Sequence, residues 1–267
     1  MFDIIMRINI DEEYNEIILK IINKKCPSIR KPQYTNKYYL ENIIYVLRDL
    51  VSWESLQILY PNKHKYHYKT IQDKFFEWSK LNIFELAFNK LLKKYKFDKI
   101  NSKSTLNLFI DASFIYNKNG NECINYGESK KKKVTKISVT SIGKEVINVD
   151  FFPGNVHDTK TIQTSINNIK SKTSYRRINM IADKGYISKK INRDKFMESK
   201  VKLITPKKRN QKKSTTKLEK KYLKTRYLVE NAIQILKSFN RICIRRDKLI
   251  HTYKSFIFLA LIIKFKK

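Results

Sequence analysis

Glycine is scarce in this sequence, and all five residues, at positions 120, 127, 143, 154 and 185, fall in one central zone. The first 119 residues therefore lack the residue that enters left-handed turns without strain, which argues against a hairpin-rich sheet there and for helices. Cysteine is nearly absent too. Cys26, Cys123 and Cys243 lack metal-type spacing and imply no disulfide framework, as expected of free thiols in a reducing compartment. The start MFDIIMRINIDEEYNEI is broken by charge too early for a signal peptide. The apolar run at 255–263, SFIFLALII, is too short to span a bilayer and is expected to be a core helix, so no membrane partner is expected.

Acidic residues are the most telling shortage. Against 57 Lys and Arg stand 24 Asp and Glu, a formal charge of +33, which is too large an excess for an enzyme of neutral ligands and argues for a polyanionic partner, nucleic acid first. Residues 1–100 carry 18 basic and 12 acidic groups, whereas 101–267 carry 39 and 12, so the second part holds most of any polyanion surface.

Two parts are expected. In the first, KYYLENIIYVLRDLVSWESLQIL repeats apolar residues at helical spacing over 37–59, with Ile43, Val46, Leu47, Leu50 and Val51 on one face. A basic and aromatic turn, PNKHKYHY, leads to a helix beginning near Thr70, a break near Asn82 and a third helix, an order that resembles a helix-turn-helix. His64 and His67 have metal-ligand spacing but no Cys or carboxylate beside them, which favours a solvated turn. In the second part the period changes. LNLFIDASFI, VTKISVTSI, EVINVDFFP and RINMIAD read as four strands, HDTKTIQTSINNIK as a helix between the last two, SKKINRDKFMES as another helix and VKLITP as a fifth strand. A basic segment, Lys200 to Arg226, with twelve Lys or Arg and one Glu, leads into a long helix expected over about Leu218 to Phe239. Three strands, a crossover helix, a fourth strand and further helices make an α/β layer architecture.

Among the second part's acids, Asp111, Asp150, Asp183 and Glu230 stand out because apolar residues flank them, and a carboxylate leaving water costs several kcal/mol unless it is paired or metal-bound. Each has a plain structural alternative: Asp183 as a helix cap, Glu230 paired with Arg226, Asp150 ending a strand. On one continuous helix Tyr222, Arg226, Glu230 and Lys237 fall at about 0°, 40°, 80° and 60°, a narrow polar stripe among Leu223, Val229, Ile233 and Leu236. Acids on the first strand, the fourth strand and a late helix suit a two-metal phosphoryl-transfer site, in which two ions about 4 Å apart serve the attacking and leaving oxygens. Oxygen-only donors suit Mg²⁺ or Mn²⁺ rather than zinc.

These motifs resemble those of DDE transposases of bacterial insertion sequences, in the type-4/type-5 superfamily. RYLVENAIQILK matches the family's R-x3-E-x6-K signature with Arg226, Glu230 and Lys237 in register; IADKGY matches its second-aspartate motif, FIDASFI its first, and TKISV with PGNVHDTK the strand pair between. KLITPKKRN and FNRICIRRDKLIHTYKSFIFLAL resemble the stretches on either side of the signature helix, so the resemblance covers about residues 40–267. It departs at Leu223, where the family has its tyrosine, and at Val134, where a glycine is usual.

The resemblance implies an α/β fold: an RNase H-like mixed sheet flanked by helices over 101–267, preceded by an all-α, helix-turn-helix-like DNA-binding domain over 1–100. It implies that Asp111, Asp183 and Glu230 are catalytic and hold two Mg²⁺ (or Mn²⁺) ions, which leaves Asp150 without a catalytic part. Lys136, Arg226, Lys237 and Arg245 would position phosphates, with Tyr222, Lys207, Lys208 and Arg209 as further DNA contacts. The activity implied is strand cleavage and strand transfer at terminal inverted repeats, on double-stranded DNA of the element ends and the target, by a homodimer. The expected setting is the cytoplasm (the bacterial nucleoid), or a host cell's nucleus or cytoplasm. Two rivals remain at this point: a catalytically silent or recruited transposase-derived DNA-binding protein, and an RNase H-like DNA nuclease that only hydrolyses.

Overall fold

The computed structural model describes residues 10–27, 34–48, 52–59, 67–98, 105–127, 132–173, 177–187, 200–207 and 216–266. Two compact units emerge, residues 1–91 with 238–267, and residues 92–237.

Helices α1 (Glu12–Lys25), α2 (Asn36–Arg48), α3 (Ser55–Leu59), α4 (Tyr68–Lys80) and α5 (Ile83–Leu92) belong chiefly to the first unit. The single helix expected over 37–59 is thus two. Ser52 Oγ accepts from the Ser55 N–H at 3.3 Å and starts α3, while Trp53 in the connection is buried beside Phe75. The break near Asn82 is present, with Asn82 at φ 53°. The basic turn at 61–66, with His64, lies outside the described residues; His67 caps α4 by accepting from the Lys69 N–H. The apolar tail is a core helix as expected.

The second unit is built on a mixed sheet of β1 (Thr105–Asn117), β2 (Asn125–Gly127), β3 (Lys132–Ile142), β4 (Glu145–Pro153), β5 (Arg177–Ile181) and β6 (Val201–Ile204). The four strands and the short fifth read from sequence are all present, and β2 is additional. β1 pairs antiparallel with β3, β3 with β4 and with β2, and the crossover strands β5 and β6 add parallel on the other edge of β1. This is the mixed α/β layout expected of an RNase H-like sheet. α6 (Asp158–Lys172) makes the crossover, capped by His157, which accepts from the Thr159 N–H. Val134 sits where two glycines leave room: a Cβ at Gly154 or Gly127 would come within 2.5 Å or 2.9 Å of its Cγ2. Those two bare backbones accommodate the branched side chain.

The long helix expected over 218–239 is broken into α7 (Lys217–Lys224) and α8 (Tyr227–Lys237). Thr225 causes the break, since its hydroxyl donates to Tyr222 O at 2.9 Å and its backbone leaves the helical region at φ −94°, ψ 6°. The continuous polar stripe from Tyr222 to Lys237 therefore does not exist as drawn; Tyr222 and Glu230 stand on separate helices. The helix expected over 188–199 lies outside the described residues.

α9 (Asn240–Cys243) and α10 (Ile250–Ile263) return to the first unit. Phe256 of α10 stacks on Phe75 at 4.3 Å between ring centroids, and Phe258 lies 5.8 Å from Phe88. Residues 238–267, placed by the sequence reading with the second part, thus complete the core of the helical unit.

Candidate active site

The β1–β5 ladder pairs Thr105 with Arg177 and runs in constant register to Phe109 with Ile181, and Asn179 Nδ2 donates to Asn107 Oδ1 across an offset of 72 residues. Asp111 and Asp183 are separated by that same offset. Both aspartates stand two residues beyond the last pair of that ladder, and the Asp183 charge acts on the Asp111 carboxyl. The alternation of β1 sets the face: Asp111 pairs with Val139 and its neighbour Ala112 with Ser138. Ser138 lies against Ser165 of α6, so α6 covers the face opposite Asp111.

On the face of Asp111 lies α8, whose Lys237 Nζ donates to Phe114 O of β1 at 3.1 Å. Arg226, in the turn that opens α8, bridges two acids: Nη2 is 2.7 Å from Glu230 Oε1 and Nη1 is 3.6 Å from Asp111 Oδ2. Burial raises the Asp111 carboxyl above the usual carboxylate range, and the negative charges of Glu230 and Asp183 add to that. The Ala112 N–H, donating to Oδ1 at 2.9 Å, and the Arg226 guanidinium oppose it. Glu230 and Asp183 thus both act electrostatically on Asp111, and Arg226 bridges Asp111 and Glu230. Asp183 is exposed, and its side chain caps nothing although a short 3₁₀ turn, Lys184–Tyr186, begins at the next residue. It does not cap that turn, and the helix expected over 188–199 lies outside the described residues. The Glu230–Arg226 pair is present, but it lies within the acid cluster rather than apart from it.

Asp150 takes no part. It lies buried in mid-strand on β4, where Asn148 Nδ2 (2.7 Å), Ser165 Oγ (2.6 Å) and Asn168 Nδ2 (2.6 Å) all donate to its carboxylate. It ties β4 to α6.

Two expected phosphate contacts need correction. Lys136 is only 6% exposed and donates to Asp158 Oδ1 and Val156 O, while Arg245 is 0% exposed and donates to the carbonyls of Asp247 and Lys248. Ammonium and guanidinium groups satisfied inside the protein are not presented to DNA from these positions. Tyr222 and Lys207 are half-buried; Lys208 and Arg209 lie outside the described residues. Sequence reasoning passed over Asp158 and Tyr186, which line the rear of the Asp183 turn. Their signal was in the PGNVHDTK and IADKGY motifs, which were read only for strands and for Asp183.

Residues 134–249 match the family "Transposase DDE domain", a span that holds Asp183 and Glu230 and begins after Asp111. Over that span the chain carries a transposase DDE domain. Among solved structures, a piggyBac transposase synaptic complex with hairpin DNA is similar with a TM-score of 0.52 at 14% identity, over 96% of this chain and 72% of that one. At that identity the likeness shows the fold, which is RNase H-like. A pre-cleavage Mos1 transpososome (TM-score 0.27, 10% identity, 81% of each chain) and a Mos1 mariner paired end complex with Mn (0.28, 11%, 85% of each) also match, with scores too low to weigh. No curated protein matches the chain. Among the described residues no helix is long and apolar enough to cross a membrane.

DDE transposases use divalent metal ions, so the fit of this site to such an ion matters. The donors fit in kind: three carboxylates, no thiolate and no imidazole, the set of a hard cation. They fit in charge as well, since burial first, and then its two acidic neighbours, destabilise Asp111 as an anion, and a cation would relieve that. Among the described residues no three His, Cys, Asp or Glu groups are close enough to share one ion. The Arg226 guanidinium supplies the positive charge between Asp111 and Glu230.

Proposed function

We propose that this transposase cuts and joins DNA strands at the ends of a mobile element, with Asp111, Asp183 and Glu230 as its catalytic acids. The observation that supports this reading is the register: the β1–β5 ladder ends two residues short of both aspartates with their own offset of 72, the Asp183 charge acts on Asp111, and Arg226 links Asp111 to Glu230.

The three acids would hold two divalent ions, Mg²⁺ or Mn²⁺. When bound, the ions activate the attacking oxygen and neutralise charge on the leaving one. The chain's own residues do the rest. Asp111, fixed within β1, keeps one edge of the site rigid and Asp183 stands on the turn just past β5, while Glu230 comes from the helix on the same face as Asp111. Arg226 holds Glu230 and Asp111 together and offers a guanidinium to phosphate oxygens as DNA enters; Lys237 lies three turns further along that side. In the first step a water oxygen bonds to phosphorus, the bond to the 3′ oxygen breaks, and that oxygen leaves as a 3′-hydroxyl carrying a proton. In the second, the 3′-hydroxyl attacks a target phosphodiester and one P–O bond replaces another. Neither step needs a covalent protein intermediate.

The helical unit, with α2 to α4 in helix-turn-helix order, would read the terminal repeats, and the basic second unit would hold the backbone of element ends and target; two copies on paired ends would form a homodimer. The test is cleavage in Mg²⁺ of a duplex carrying the DNA that flanks the gene. Specific 3′-hydroxyl ends from wild type and none from Asp111→Ala, Asp183→Ala or Glu230→Gln support the reading. Equal cleavage by all four proteins overturns it, and specific binding without cleavage by wild type would mark a silent DNA-binding protein.

A further inference from the structure

Behind the turn that carries Asp183, on the sheet face opposite Asp111, lies a buried polar cluster that the reaction itself does not use. Lys136 projects from the middle of β3, its Nζ 2.8 Å from Asp158 Oδ1, 2.5 Å from Val156 O and 5.0 Å from the centre of the Phe114 ring. A buried ammonium is tolerated only with its partner in place, so this pair fixes the first residue of α6 onto the sheet. The other carboxylate oxygen of Asp158 faces the Asp183 turn: a Cβ placed on Gly185 would lie 3.5 Å from Oδ2. Next in sequence, Tyr186 is 1% exposed, its hydroxyl beside those of Ser138 and Thr161 but outside hydrogen-bond geometry to either. Burial, with the nearby carboxylates of Asp158 and Asp111, keeps that phenol protonated.

Asp183 itself makes no cap bond, so its place is set by the main chain. That chain is a single 3₁₀ turn closed by the Tyr186 N–H to Asp183 O (3.1 Å) and the Ile187 N–H to Lys184 O (3.0 Å). One turn with two hydrogen bonds is weakly determined locally; what seats it are the Tyr186 ring beneath it and the Asp158 carboxylate beside it.

We propose that the Lys136–Asp158 ion pair, together with Tyr186, is a positioning device that seats the Asp183 turn and so sets where the Asp183 carboxylate stands relative to Asp111. The inference rests on Asp183 being a metal ligand, and it gives Lys136 a role as a positioning residue.

The experiment is Mn²⁺ titration of the full chain, followed by the electron paramagnetic resonance signal of free Mn²⁺, alongside the Mg²⁺ dependence of cleavage and thermal unfolding. Asp158→Asn keeps an oxygen toward the turn but removes the charge. It is expected to weaken Mn²⁺ binding about 10-fold, the lower end for loss of an outer partner of a metal ligand, to raise half-maximal Mg²⁺ by a similar factor, and to leave duplex affinity unchanged. Asp150→Asn, which disturbs the same helix without facing the turn, is expected to lower stability and leave Mn²⁺ affinity alone. Should Asp158→Asn fail to fold, Gly185→Val, which crowds the same carboxylate from the turn side, carries the same expectation. Wild-type Mn²⁺ affinity in Asp158→Asn, or equal weakening in Asp150→Asn, overturns the positioning role. Asp183→Ala separates the two levels: if it binds Mn²⁺ like wild type, the ligand reading falls and this inference with it, whereas lost binding there with an unchanged Asp158→Asn removes this inference alone.

Discussion

Arg226 Nη2 lies 2.7 Å from Glu230 Oε1, in the cluster where Glu230 and Asp183 together destabilise the charge on Asp111. A guanidinium in that position competes with any other cation for the same carboxylates. Arg226→Gln is therefore expected to bind Mn²⁺ more tightly than wild type in the absence of DNA, yet to cleave more slowly because the phosphate loses its donor. Mn²⁺ titration and a cleavage time course measure the two effects; unchanged or weaker ion binding would show that Arg226 is not a competitor.

Removal of any one acid should be more damaging than loss of an outer partner. Asp111→Ala, Asp183→Ala and Glu230→Gln are each expected to reduce cleavage by more than about 100-fold while duplex affinity stays near wild type. Gel-shift and cleavage assays on the same duplex check this, and an active Glu230→Gln would remove Glu230 from the site.

Asp150 predicts the opposite pattern. Its carboxylate takes three donors, so Asp150→Asn turns an amide N–H₂ toward at least one of them and is expected to cost about 1–3 kcal/mol of stability. Thermal unfolding should shift downward while the cleavage rate per folded molecule holds. A stable but inactive variant would contradict the structural role.

Because Phe256 stacks on Phe75, the helical unit is incomplete without the carboxyl-terminal helix. A fragment of residues 1–100 is expected to show no cooperative unfolding, whereas residues 1–91 joined to 238–267 by a short linker should melt cooperatively. In the full chain, Phe256→Ala should cost about 3–5 kcal/mol. A cooperative melt from residues 1–100 alone would show that α10 is dispensable.

On α7, Lys217, Lys220, Lys221 and Lys224 share one face within about 100° of arc, all exposed, while Glu219 lies on another face, held by Lys202 at 2.9 Å. The Lys202 ammonium keeps the Glu219 carboxyl below its ordinary range, so it stays ionised there and does not neutralise the lysine face. Like charges at this spacing repel unless phosphates lie against them. Replacing the four lysines with glutamine is expected to flatten log affinity against log salt by about 2 to 4 units. Parallel lines for variant and wild type would show that this face never meets DNA.

The sequence by itself determined the strands and the crossover helix and singled out the three acids as candidates, because period-2 apolar runs and a motif such as IADKGY are local signals. Even the 72-residue spacing of Asp111 and Asp183 was legible as a number, though only the parallel ladder gives it meaning by carrying the same offset. Tertiary structure decided what local pattern could not. Helical periodicity passes unbroken through residue 225, yet the Thr225 hydroxyl and backbone N–H both donate to Tyr222 O and α7 ends there. A lysine in a strand reads as a surface charge, yet Lys136 is buried because a carboxylate 22 residues away in sequence meets it there. Asp150 and Asp183 both follow apolar strand residues; two of the three donors around Asp150 come from α6, whereas Asp183 opens an exposed turn, and desolvation is settled by neighbours in space. The same holds for α10, whose apolar residues announce burial without naming the core they fill, a choice made by the shape of the helices it packs against.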